Sequence, residues 1–156
     1  LTTGQLADRI ADARNTLTQR TVGPACYSET KLDASGLKPG DHAGLCAFQS
    51  HFGAIEVERT DDDIYIVTRT HEGEFMRIPA EQPKVLFKID YDFDSDTAKF
   101  SFSYDGVSWI TADCLLQMRY TLDFFTGYRS ALYCYSTEEA EAGSASFDFF
   151  HQTVNQ

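Results

Sequence analysis

From about residue 16 onward, apolar and polar positions alternate with a period of two, and turn residues interrupt the alternation about every eight to twelve positions, the rhythm of short antiparallel strands. In order, the predicted strands are "TLTQRT", "ACYSETKLDA", "HAGLCAFQS", "GAIEVERT", "DIYIVTRT", "EFMRIPA", "PKVLFKIDYDF", "TAKFSFSYD", "VSWITA", "LLQMRYTL", "YRSALYCYST" and "SASFDFF". Between them "SGLKPGDH", "TDDD", "HEGE", "DSDT" and "YDGV" supply the Gly, Pro and Asp that turns require. In "KFSFSYDGVSW", Phe100, Phe102 and Tyr104 share one parity and Ser101 and Ser103 the other, which predicts one core face and one wet or lightly covered face. In "AGLCAFQ" both parities are apolar or small, which predicts cover on both sides. So many strands exceed one flat open sheet, so the fold is predicted as all-β, a two-sheet antiparallel β-sandwich of jelly-roll type. Only "GQLADRIADARN" has helical spacing, with Leu6, Ile10 and Ala13 on one face, and it is short for a helix that stands alone. With no repeat and no linker, residues 1–156 read as one domain, with 1–15 expected to be frayed or irregular.

Composition narrows the partners. A chain of 156 residues, 42% hydrophobic, suits one core. A net charge of -11 and a pI near 4.6 repel a phosphate backbone or an anionic membrane surface, and the 13 Lys and Arg form no patch along the sequence, so neither nucleic acid nor membrane is an expected partner. No apolar run approaches the roughly 20 residues of a membrane span, and "LTTGQLADRIADARN" lacks the order of a signal peptide. Cys26, Cys46, Cys114 and Cys134 are widely spaced, form no CxxC or Cys/His cluster, and are predicted to be buried free thiols. Together these features favour a reducing, cytoplasmic setting.

Candidate chemistry is sparse. A catalytic carboxylate pair needs one acid of raised pKa in a partly buried setting. Glu56 and Glu58 alternate with Ile55 and Val57, and Asp148 sits between Phe147 and Phe149, so all three are assigned to wet strand faces. In "IDYDFDSD", Asp90, Asp92, Asp94 and Asp96 occupy alternate positions, and calcium would answer their repulsion. The stretch lacks the glycine and final glutamate of an EF-hand loop, so a surface hairpin is favoured, with Asp92, Asp94 and Asp96 as the calcium candidates and otherwise no cofactor expected. His42, His51, His71 and His151 are isolated in sequence and lie in no nucleophile turn. Trp109, after the "DGVS" turn, is either a flat platform for a sugar ring or a core plug.

One stretch, "LDFFTGYRSALYCYS", places two phenylalanines at the lip of a Thr-Gly turn, ahead of a strand dense in tyrosine. Together with "ARNTLTQRTVGP", "KLDASGLKPGDHAGLCAFQSHFGAIEV" and the closing "ASFDFF", it resembles the C-terminal, concanavalin A-like β-sandwich of glycoside hydrolase family 43, the two-domain β-xylosidases and α-L-arabinofuranosidases. The resemblance covers nearly the whole chain. It implies a five-bladed propeller on the N-terminal side that carries the catalytic carboxylates, leaving none here, so the chain alone is expected to be inactive. It also implies that the turn Phe124, Phe125, Thr126 and Gly127 reaches the propeller's sugar pocket, with Phe125 as an apolar wall. Expected partners are therefore that propeller and xylo- or arabino-oligosaccharides. Members of the family carry an upstream segment rich in Trp, Asn and His as a first strand, and this chain starts after it, so either an edge strand is missing and the sheet edge is open, or that strand is supplied otherwise. The alternative reading is an autonomous carbohydrate-binding module for xylan or arabinoxylan, with Trp109 or Tyr128 as its platform. An independent hydrolase is the weakest reading, for want of a carboxylate pair.

Overall fold

The structure is a computed structural model that describes residues 1, 2, 7, 10, 15–119, 127–137 and 143–154, with the side chain of residue 15 left aside. Among them are eleven strands and no α-helix: β1 (Asn15–Arg20), β2 (Ala25–Asp33), β3 (Asp41–Phe48), β4 (Gly53–Arg59), β5 (Ile64–Thr70), β6 (Gly73–Pro79), β7 (Lys84–Asp92), β8 (Thr97–Ser103), β9 (Ile110–Gln117), β10 (Arg129–Ser136) and β11 (Ser146–Val154). They form two antiparallel sheets, a six-stranded one in the order β1-β10-β3-β4-β5-β6 and a five-stranded one in the order β11-β2-β7-β8-β9. The sandwich predicted from alternation is the fold observed.

The core lies between the sheets. Phe87, Tyr91, Phe100 and Phe102 of the five-stranded sheet share one cluster with Leu45, Ile55 and Ile66 of the six-stranded sheet. Burying each large apolar side chain contributes about 1.5–3 kcal/mol. Polar groups inside this core are paired across the sheets: Ser130 Oγ of β10 lies 2.5 Å from Ser28 Oγ of β2 and 2.8 Å from the Tyr91 hydroxyl of β7. The four cysteines are buried with free thiols, and burial pushes the thiol of Cys114 up to about 11 and that of Cys134 up to about 12.

One expectation changes. Within the described residues, the end of "VSWITA" and the start of "LLQMRYTL" form one strand, Ile110–Gln117, with Asp113 on its outward face and Ala112, Cys114 and Leu116 pointing inward; residues 120–122 of the second segment lie outside the described residues. Of the two alternatives for the serine face, wet or lightly covered, the second holds: Ser101 and Ser103 are 8% and 0% exposed. Ser101 is in register with Lys88, whose ammonium is flanked by the Tyr27 and Trp109 rings, and Ser103 Oγ accepts the Asp105 and Gly106 amides at the head of the 104–108 turn. That turn needs Gly106 at φ +79°. Of residues 1–15, expected to be frayed or irregular, the described residues 1, 2, 7 and 10 lie outside the eleven strands, and Leu1 and Ala7 make backbone hydrogen bonds to the rest of the fold. Leu1 and Ala145 exchange backbone hydrogen bonds of 2.9 Å, and Ala7 donates its amide to the Ser136 carbonyl at 2.9 Å. Ala7 and Ile10 cover a second apolar cluster with Cys46, Ala54, Ala131, Tyr133 and Tyr135 on the outer face of the six-stranded sheet, which explains why β3 is covered on both sides.

Candidate functional site

Three places combine polar chemistry with defined geometry. The first is the base of segment 120–126. Tyr128, just ahead of β10, donates its hydroxyl to the His51 carbonyl at 2.7 Å and accepts the Arg119 amide at 2.9 Å, while Thr21 Oγ1 donates to its carbonyl at 2.8 Å. One side chain thus joins Arg119 and Tyr128, which flank the segment, to the β3–β4 turn. Because its hydroxyl satisfies two backbone groups, the ring is drawn inward to 2% exposure, which removes Tyr128 as an open sugar platform. Phe124, Phe125 and Thr126 lie outside the described residues; Gly127 is exposed.

Beside this clamp a cavity of about 170 Å³ is lined by His51, His71, Glu72, Phe75, Leu115 and Arg119, among others. Phe75 and Leu115 belong to the edge strands β6 and β9 and are 52% and 59% exposed, so apolar surface stands open at this end of the sandwich. His51 and His71, isolated in sequence, meet edge to face at 4.4 Å because the β4–β5 hairpin pairs Gly53 with Thr70 and brings their neighbours together.

The second place is the outer face of the six-stranded sheet. Glu56, assigned to a wet face, is fully buried. Tyr133 donates its hydroxyl to Oε2 at 2.8 Å, His42 Nδ1 lies 3.3 Å from Oε1, and Arg69 Nε forms an ion pair with Oε1 at 2.5 Å. Arg69 also reaches Glu58 at 3.3 Å, Arg77 bridges Glu58 and Glu74 at 2.6 and 2.7 Å, and the His42 ring stacks on Tyr135 at 4.7 Å. Burial alone would raise the Glu56 carboxyl; His42, Arg69 and Tyr133 outweigh it and hold Glu56 below the ordinary glutamate value. Burial opposes the charge of Arg69 as well, but Glu56 foremost and Glu58 keep its guanidinium above its ordinary value. Alternation assigned the side chain to the right face, but it does not show that Ile10, Tyr133 and Arg69 close that face. His42, Glu56 and Glu58 are also spaced closely enough to share a cation. The guanidiniums of Arg69 and Arg77 already neutralise both carboxylates, so the chemistry is that of a closed ion-pair network. Glu56, held ionised, is the opposite of a poised general acid.

The third place is the outer face of the five-stranded sheet. Cross-strand registers set His151, Glu29, Lys88, Ser101 and Thr111 in one row and Thr153, Tyr27, Asp90, Lys99 and Leu115 in the next. The Lys88 ammonium lies 4.9 Å from the Tyr27 ring centroid and 5.3 Å from that of Trp109. Trp109 is therefore half-buried against a lysine, neither a core plug nor a bare platform. Every lysine of the chain except Lys38 is on this face, Lys31, Lys84, Lys88 and Lys99, against Glu29, Asp33, Asp90, Asp92 and Asp113. At the end of β7 the strand stops at Asp92, so Asp94 and Asp96 leave the face on which alternation had aligned them. Asp92 Oδ1 instead accepts the Asp94 amide at 2.9 Å and the Ser95 amide at 3.2 Å, as a hairpin requires. Asp92, Asp94 and Asp96 form no three-ligand group.

Comparison with known proteins gives this geometry a context. The family model of the β-xylosidase C-terminal concanavalin A-like domain matches residues 1–153. A bifunctional GH43-CE protein from Bacteroides eggerthii is 40% identical with a TM-score of 0.96, over 100% of this chain and 21% of its own. A GH43 glycoside hydrolase, engineered into an enzyme with both endo-xylanase and exo-arabinofuranosidase activity, is 25% identical with a TM-score of 0.90, over 100% of this chain and 34% of its own. The GH43 protein BlXynB of Bacillus licheniformis shares the fold at 18% identity and a TM-score of 0.79, over 99% of this chain and 32% of its own. No curated protein matches the chain. With residues 1–153 matched, the chain belongs to the family of C-terminal concanavalin A-like domains of β-xylosidases found in glycoside hydrolase family 43.

Proposed function

We propose that this non-catalytic sandwich buttresses the catalytic propeller of a family 43 glycosidase acting on xylan-derived or arabinose-decorated oligosaccharides, and lends segment 124–127 to the rim of its sugar pocket. The observation that carries the reading is the clamp at the base of that segment: Tyr128 fixes Arg119 and the His51 carbonyl, next to open apolar surface at Phe75 and Leu115. A segment that lines another domain's pocket needs a rigid base and an adjoining apolar face to dock. Of the two fully buried carboxylates among the described residues, Glu56 is locked in ion pairs and Asp41 accepts the Lys38 amide, consistent with catalysis residing on the propeller. Phe125 then acts as a wall that excludes water and holds a sugar ring in place.

In the full-length enzyme, Phe125→Ala is expected to lower kcat/KM for the natural pentoside by about 1–3 kcal/mol in transition-state stabilisation, the scale of one lost apolar contact. Unchanged kinetics would return Phe125 to a structural role. The isolated chain is expected to release no nitrophenol from nitrophenyl xyloside or arabinofuranoside, and turnover by the pure domain would overturn the assignment.

A further inference from the structure

We infer that the outer face of the five-stranded sheet is a second carbohydrate site, remote in role from the propeller pocket, that takes an extended neutral oligosaccharide of the xylan type across Tyr27, Lys88, Trp109, Asp90 and Lys99. Three observations converge on it. First, the rings of Tyr27 and Trp109 both turn a face toward one point, the Lys88 ammonium. Lys88 thus presents its ammonium beside apolar ring surface, and a sugar ring can set its hydroxyls on that donor while its C–H surface lies along the rims of the rings. Second, the donor and the acceptor here make no hydrogen bond to each other. Among the described residues the nearest carboxylate to Lys88 Nζ is Asp90 Oδ1 at 3.9 Å, beyond hydrogen-bonding distance. Burial lifts the Asp90 carboxyl above its ordinary value in spite of Lys88 and Lys99, so it is a half-buried acceptor with too few donors. Third, the next register row opens into a cavity of about 350 Å³ walled by Asp90, Lys99, Ser95 and Thr97, of the size of a small-ligand pocket.

The charge on this face selects the occupant. The rest of a chain of net charge -11 repels anions, yet here four lysines are interleaved with five carboxylates, so the face is close to neutral. An acidic glycan or a nucleic acid would meet as many like charges as opposite ones. A neutral polyol, by contrast, can take hydrogen bonds from the lysines and give them to the carboxylates without a charge mismatch. The flat pleated surface suits an extended chain. The choice of a xylan-type sugar rests on the function proposed above; the site itself rests on the side chains.

The test is affinity electrophoresis of the full-length enzyme in gels containing soluble arabinoxylan, alongside hydrolysis of nitrophenyl xyloside and arabinofuranoside. Trp109→Ala and Asp90→Asn are each expected to raise the apparent Kd for arabinoxylan about ten-fold while leaving nitrophenyl turnover unchanged. Asp90→Asn, at an exposed edge of the cavity, keeps the test valid should Trp109→Ala unfold, and thermal melting reports which variants are folded. Retardation equal to that of the unaltered enzyme in a folded variant overturns the site, as does an unaltered enzyme that is not retarded at all. Retardation by glucomannan but not by arabinoxylan overturns the xylan-type assignment. An enzyme that hydrolyses neither nitrophenyl pentoside would count against the pentosidase reading alone, because the variant comparison still decides the sheet face.

Discussion

A carboxylate with no exposed surface persists in a sheet only when its charge is answered at contact distance. Glu56 has that answer in His42, Arg69 and Tyr133. Removing its charge while keeping its shape leaves Arg69 without its principal counter-ion, so Glu56→Gln is expected to destabilise the domain by about 3 kcal/mol, the low end for breaking a buried pair, since Arg69 is partly exposed. Urea unfolding measures it, and a change under 1 kcal/mol would mean that water reaches the network. A sequence clue to this burial was present in part. "AGLCAFQ" predicted a strand covered on both faces, and Glu56 is the register partner of Gly44 within it. What alternation does not carry is the cover itself, which comes from Ile10 and Tyr133, 46 and 77 residues away in sequence. The same non-local contacts hide the His51–His71 and Tyr27–Lys88–Trp109 groups, because their members come from different strands and turns.

The strands themselves were legible because period-two patterning and turn chemistry are local. At β9 the pattern ended one strand at Ala112 and began another at Leu115, whereas Asp113 and Cys114 between them continue a single strand with Asp113 facing outward. Between β3 and β4 the local pattern meets a tertiary demand. A Cβ on Gly44 would collide with the Ile55 carbonyl oxygen and come within 2.6 Å of Glu56 Cα, backbone atoms that cannot swing aside. Gly44→Ala must therefore spread two central strands of the six-stranded sheet and is expected to cost more than about 2 kcal/mol. Gly23→Ala, whose new methyl would meet only Phe93 Cδ2 at 3.9 Å, is expected to stay within about 0.5 kcal/mol and serves as the control. Equal effects of the two substitutions in urea melts would show that the β3–β4 spacing is slack.

For the molecule as a whole, pH sets two opposed contributions. Lowering the pH from 7 toward the pI near 4.6 relieves the self-repulsion of a chain with net charge -11, which favours the compact state. Glu56 stays ionised through that range, because its folded pKa lies below the ordinary value of about 4.3. A group with a depressed folded pKa stabilises above its unfolded pKa and loses that contribution as the pH falls through the folded one. Asp90 has the reverse sign. Burial raises its folded pKa, so its carboxylate costs stability at neutral pH and the cost disappears in acid, as expected of a group kept for binding rather than for folding. Thermal unfolding followed by circular dichroism from about pH 7 to 3 separates the two. The Tm of the unaltered chain should hold or rise toward pH 5 and then fall. Its advantage over Glu56→Gln should be constant above about pH 4.3 and shrink below it, while Asp90→Asn should melt higher than the unaltered chain at pH 7 and converge with it in acid. A Glu56 advantage that grows on acidification would mean that the carboxyl is protonated in the fold. An Asp90→Asn variant that melts lower at pH 7 would mean that this carboxylate belongs to the scaffold and not to the open face of the sheet.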